Sequence, residues 1–465
     1  MATPVERWWS TVKEALRGTE ADLTAIPIPR AVVLLAIPTL LEMAMESLLT
    51  IVDIFVVSRL GSNAITTVGL TESMLSLVYA VAMGLSAGAT AMVARRIGEK
   101  DGDGASVAAM QVVLVAVACA SVVSLIGLTW APRLLGLVGA TPEVVRYGSG
   151  YARIMLAGNG SIFLLFVINA AFRSAGDAAV AMRALWLANG CNLVLAPVLV
   201  FGVGPVPRLG VEGAAIATTV SRGIGVGYQV FVLARGKTRI AIRLRHLLPR
   251  LGPLRELLRI ATAGTLQVLV ETASWLGLVR ILAGFGSDVI AGYTIAMRIA
   301  VFAMLPSWGL AGAAATLVGQ NLGAGRPDRA EKAVRTVARY NVGFLGGLGI
   351  VLALVPSLAV MVFTKEVAVA ASAVLCLRLV ALGFGFFAYG MVTMQAFNGA
   401  GDTVTPTLVN LGCFWAFKIP LAWFLARTVG LGPLGVFLAI TAAYSMQAIL
   451  GGIAFRRGTW KTVVA

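Results

Sequence analysis

The chain has 465 residues, of which 58% are hydrophobic and 12% charged, with a mean hydropathy of +0.89. A soluble domain carries about a quarter of its residues as charges, so composition excludes a water-soluble fold. A net charge of +16 would suggest nucleic acid in a soluble protein; in a chain this apolar it bears on membrane orientation instead. Allowing about 20 apolar residues per span, the length accommodates about twelve helices with short loops.

The apolar runs are continuous and do not alternate, which argues for helices and against a barrel. The 52 glycines fit a membrane bundle, where small residues let backbones approach closely. No cleavable signal peptide is evident. Residues 1–30 place Val5, Trp8, Trp9, Val12 and Leu16 at helical spacing among Arg7, Lys13 and Arg17. This reads either as a short helix on a membrane surface or as a frayed cytoplasmic tail. Spans are then expected at 31–59, 64–94, 105–130, 144–171, 179–203 and 210–236, forming an amino-terminal lobe over 31–236. A basic linker follows at 237–255, within a run from Arg235 to Arg259 that reads as lying against anionic headgroups rather than on nucleic acid. The second lobe, 256–456, holds spans at 256–284, 289–319, 330–363, 366–398, 403–428 and 432–455, with a tail at 457–465. Lys and Arg are concentrated before the first span and after the even-numbered ones, so both termini should be cytoplasmic in an inner-membrane protein.

The two halves repeat. A shift of 225 residues lays Gly84–Ala105 on Gly309–Ala330 without a gap, matching Gly84, Leu85, Val93, Gly98, Asp103 and Ala105 to identical residues. The same shift sets Phe172–Asp177 on Phe397–Asp402 and Glu46 on Glu271. With six spans per half, the repeats run parallel, which implies a two-lobed carrier working by alternating access.

Ionisable groups inside apolar runs are the candidate functional residues, because each costs about 2.5–3.5 kcal/mol at a membrane helix centre. Glu42, Glu46 and Asp53 fall on one face of the first span. As i,i+4 neighbours, Glu42 and Glu46 are not expected to ionise together, which suits proton coupling. The rival is structural pairing with Arg153, Arg222, Arg280 or Arg298. Glu72 and Glu271 are further coupling candidates. Asn189 and Asn192 precede Pro197, which frees a carbonyl, so they form either a cation nook or interhelical glue. Lys418 reads as a counter-ion, a gate or a snorkelling side chain. Tyr293, Phe387 and Met391 are taken with Lys418 as cleft candidates for a flat organic ligand. Cys119, Cys191, Cys376 and Cys413 lie unpaired in apolar runs, and His246 stands alone, so no metal centre or enzyme is expected. No nucleotide loop is present: Phe231 stands where a glycine should precede Gly236-Lys237.

Several motifs in order resemble the multidrug and toxic compound extrusion family, DinF-like branch. They are Val52-Asp53-Ile54-Phe55 with Arg59-Leu60-Gly61, Ala94-Arg95-Arg96-Ile97-Gly98, Phe172–Asp177, Asn192–Pro197, Gly319–Gly325 and Phe397–Asp402. The resemblance implies an all-α fold of about twelve spans and export of amphipathic, cationic compounds in exchange for H⁺ or Na⁺. It implies a small organic substrate and a bilayer as partners, no cofactor, and function as a monomer. A lipid-linked oligosaccharide flippase of the same superfamily is the alternative. The family's amino-lobe cation site maps onto Asp53, Asn192 and Thr218, while its fourth ligand, an Asp, falls on Ala196. That loss favours H⁺ over Na⁺. In the family's second acidic pair, Glu271 matches but Phe387 stands where the other acid belongs.

Overall fold

The structure is a computed structural model and describes residues 4–19 and 21–463. It is all helical, with no strand among the described residues. Helix α1 (Pro4–Arg17) precedes six spans: α2 (Ile28–Ser58), α3 (Ser62–Gly98), α4 (Gly102–Leu137), α5 with α6 (Pro142–Ala157, Gly160–Ala175), α7 (Ala178–Phe201) and α8 (Gly210–Arg235). Six more follow. They are α9 (Leu251–Leu282), α10 (Ser287–Gly323), α11–α13 (Pro327–Asn341, Gly347–Leu354, Pro356–Val360), α14 with α15 (Val367–Leu382, Phe384–Ala400), α16–α17 (Val404–Asn410, Ile419–Trp423) and α18 (Pro433–Arg457). Each expected span thus meets a helix or a broken helix. Among the described residues, nine are long and apolar enough by themselves to cross a bilayer, and the pair bent by 53° at Gly383 makes ten. The two remaining spans are α2, which carries Glu42, Glu46 and Asp53, and α8, which carries Glu212 and Arg222.

Several motifs turn out to be helix ends. In Phe172–Asp177 the Asp177 amide donates to the Phe172 carbonyl at 2.8 Å, and Asp402 repeats this on Phe397 at 3.0 Å. Gly176 and Gly401 occupy the left-handed position between, at φ 97° and 84°, a conformation that costs a side chain about 1–2 kcal/mol. The same termination closes α3 and α10, where Asp101 donates to Arg96 and Arg326 to Asn321. In α10 the left-handed residue is Gly325 at φ 68°, whereas in α3 it is Lys100 at φ 62°. Gly84 answers a packing need. A Cβ there would come within 2.5 Å of the Ala261 carbonyl, so α3 and the first half of α9 touch backbone to backbone.

The chain forms two compact units whose boundaries fall inside helices. One comprises 4–19 with Ile37–Thr265, the other Ala21–Ala36 with 266–463. The change at Ala36/Ile37 comes just before Pro38, which interrupts the hydrogen-bond ladder of α2. The segment 237–255, expected to be a basic linker, packs within the first unit. The Ala241 amide donates to Ser106 Oγ at 3.0 Å and the Arg250 amide to Gln111 Oε1 at 3.0 Å. The lone His246 is buried there, with Nε2 3.0 Å from Asp103 Oδ1 and Nδ1 3.2 Å from the Ala241 carbonyl. In the first unit α1 lies against α7, with Arg183 donating to the Leu16 carbonyl at 3.0 Å and Trp8 and Trp9 left exposed.

Candidate functional site

The three acids of α2 part company. Glu42 is 3% exposed, accepts from Arg173 Nη1 at 2.7 Å and from Asn169 Nδ2 at 3.2 Å, and keeps Oε2 without a partner. Asn169 Oδ1 accepts in turn from Gln229 at 2.6 Å, so α2, α6 and α8 are tied by a buried polar chain. Asn169 and Arg173 are one turn apart on α6, which is why both reach the same carboxylate. Glu42 therefore has the arginine partner that the structural reading required, but the arginine is Arg173 and none of the four expected.

Glu46, one turn on, is 37% exposed. Its Oε2 accepts from Asn189 Nδ2 at 3.1 Å, and its Oε1 lies 3.9 Å from Arg222 Nη2. Arg222 Nη1 donates to the Tyr79 hydroxyl at 3.1 Å, with the guanidinium 6.0 Å above that ring. Arg222 is thus held between the Tyr79 hydroxyl and the Glu46 carboxylate. Asp53 lies two turns beyond Glu46 along α2, and Glu72 is on α3. Asp53 is half-buried and Glu72 exposed. Arg153, Arg280 and Arg298 are exposed and pair with none of these acids among the described residues.

Of the three residues expected to hold a cation, two meet. Asn192 Nδ2 donates to Thr218 Oγ1 at 3.2 Å, and Asn192 Oδ1 is buried without a partner. Asp53 hydrogen-bonds neither. Ala196 is buried nearby on α7, one turn beyond Asn192.

In the second unit Lys418 is 3% exposed. Its Nζ donates to Ser274 Oγ at 2.7 Å, lies 4.5 Å above the Phe414 ring, and acts electrostatically on Glu271. Tyr293, Phe387 and Met391 are buried as well. Phe387 packs on Tyr444 with centroids 4.6 Å apart, and Tyr293 stacks on Phe437 at 6.4 Å. None of the four cleft candidates presents an open surface. Tyr444 and Phe437 of α18 cover Phe387 and Tyr293, Ser307 of α10 meets Met391, and Ser274 and Phe414 flank Lys418.

A second repeat offset appears here. Trp186 Nε1 donates to the Leu41 carbonyl at 3.1 Å and Trp415 Nε1 to the Val270 carbonyl at 2.8 Å. The unit boundaries at Ala36/Ile37 and Thr265/Leu266 are spaced likewise. All three pairs differ by 229 residues (415 − 186, 270 − 41, 265 − 36), one turn more than the 225 of the helix ends. The tryptophan contacts thus repeat at 229 residues, whereas the Gly61 and Gly286 caps that follow α2 and α9 repeat at 225, the offset that pairs Glu46 with Glu271.

Sequence reasoning missed Arg173, Asn169 and Gln229, and took Arg222 only as a structural partner. The available signal was the same for all: polar groups inside apolar runs, with Asn169 and Arg173 at i,i+4.

A dozen spans in two units, with three acids along the first span, define a polytopic carrier. The MatE family model matches the chain twice, over residues 38–198 and 265–424, and the chain belongs to that family. It is 26% identical over 438 residues to a probable multidrug resistance protein NorM of Thermotoga maritima, covering 93% of each chain. To the multidrug export protein MepA of Staphylococcus aureus it is 24% identical over 433 residues, covering 91% of this chain and 92% of that one. The crystal structure of a MATE transporter in the straight conformation superposes with a TM-score of 0.89 at 26% identity, covering 95% of this chain and 98% of that one.

Proposed function

We propose that this protein is a proton-coupled exporter of amphipathic, cationic organic compounds, working in the inner membrane by alternating access, as a monomer with both termini cytoplasmic. The observation that carries the reading is the charge imbalance in the first unit: α2 and α3 carry Glu46, Asp53 and Glu72 inside their spans, and of these Arg222 comes within 3.9 Å of Glu46 alone. Unbalanced carboxylates in a lipid-embedded protein demand neutralisation. Either protons or an organic cation can supply it, and exclusive occupancy by one or the other is an exchange. Glu46 and Asp53 carry the protons. Glu42, enclosed with Arg173 and Asn169, holds helices together. One proton moving down about 100 mV and one pH unit supplies roughly 2.3 + 1.4 kcal/mol. That sustains a substrate ratio of order several hundred. The multidrug names of the relatives support the cargo class over a lipid-linked oligosaccharide.

Cationic dye efflux from an efflux-deficient host tests this. Glu46→Gln and Asp53→Asn should each slow export at least tenfold, and a protonophore should abolish it. Unimpaired export by both variants, or export driven by Na⁺ at fixed pH, refutes the coupling.

A further inference from the structure

The oxygen ligands for a small cation are partly in place in the first unit, yet the positive charge beside them is already supplied by the protein. Asn192 and Thr218 are joined at 3.2 Å, and Asn192 Oδ1 is a buried acceptor with nothing to accept from. Arg222 follows Thr218 by one turn on α8, so both side chains leave the same helix face. Its guanidinium is 14% exposed, is held by the Tyr79 hydroxyl at 3.1 Å, and comes within 3.9 Å of Glu46 Oε1. Guanidinium keeps its charge at any physiological pH, and its planar fork suits carboxylates. An alkali ion entering beside Asn192 and Thr218 would meet that fixed charge on the same helix face, in surroundings where water screens poorly.

We infer that Arg222 is a tethered counter-cation that stands in for an alkali ion in the acid cluster and makes this unit blind to Na⁺. The inference deepens the proton-coupled reading and rests on it: protons titrate the carboxylates Arg222 leaves unbalanced, while Na⁺ is turned away. It also assigns Arg222 a role that packing alone would not give, since a purely structural arginine has no bearing on ion choice.

The test is Na⁺ binding to the purified protein in detergent, read by thermal shift and by isothermal titration with NaCl against choline chloride at equal ionic strength. Wild type should show no Na⁺-specific shift. Arg222→Gln should gain Na⁺ affinity at least tenfold over wild type, Arg222→Lys should remain blind, and adding Thr218→Val to Arg222→Gln should remove the gained signal. Should Arg222→Gln not fold, the charge-balanced Glu46→Gln/Arg222→Gln protein replaces it, with Asp53 and Glu72 left to draw Na⁺. Na⁺-specific binding by wild type, gain of binding by Arg222→Lys, or a folded Arg222→Gln or double variant without Na⁺ binding overturns the inference. Because binding is read without transport, loss of the Arg222 role and loss of proton coupling remain separate outcomes.

Discussion

Removing the arginine that faces Glu42 should cost more than removing the glutamate itself. The two partners are unequally buried, Glu42 at 3% and Arg173 at 26% side-chain exposure, across a 2.7 Å contact. In Arg173→Met the carboxylate is left in a dry site with Asn169 alone, a situation worth about 3–5 kcal/mol. The molecule has one escape, which is to hold Glu42 as the acid. Protonating a carboxyl of ordinary pKa about 4.3 costs about 3.7 kcal/mol at pH 7 and about 1 kcal/mol at pH 5. The penalty should therefore stay near 3–4 kcal/mol at pH 7 and shrink by roughly 2–3 kcal/mol at pH 5. Glu42→Gln leaves Arg173 free to turn toward water and loses one charge-assisted hydrogen bond, about 1.5 kcal/mol. The double variant should cost no more than about 2 kcal/mol, well below the sum, because neither charge is stranded. Reversible SDS unfolding in mixed micelles at the two pH values measures all three. An Arg173→Met penalty equal to that of Glu42→Gln, or one indifferent to pH, would refute the reasoning.

Two predictions concern the ends of helices. Lys100 holds the left-handed position that its mate Gly325 fills freely, so Lys100→Gly should stabilise by about 0.5–1 kcal/mol and Gly325→Lys should destabilise by a similar amount; thermal unfolding that ranks them otherwise removes the strain argument. At the start of α4, His246 and then Arg245 hold the Asp103 carboxyl below its usual range. A depressed carboxyl lends stability above its unfolded pKa, about 3.9, and loses it as pH falls through the native value. Asp103→Asn should accordingly lower the Tm at pH 7 and by progressively less as the pH is taken below about 3.9, and a constant difference would show that the contact contributes nothing.

The fold was legible because its determinants are local. Twelve apolar runs, the cap motifs and the parallel repeat need no partner to be read, since lipid forces every buried backbone group into a helix. Charges in apolar runs also marked α2 as the functional helix. Their pairing was not local. Arg173 lies 131 residues from Glu42 and Asn189 lies 143 from Glu46, separations over which helical periodicity carries no information. Glu42 and Glu46 are neighbours of one residue type on one helix, yet packing buries the first against Arg173 and leaves the second half open beside Arg222. The helices and their ends at Gly61, Lys100 and Gly176 repeat at 225, whereas the tryptophan contacts between the first and fifth spans of each half sit one turn further along. That displacement is fixed by where the tryptophans meet backbone carbonyls, and only folded helices bring those together.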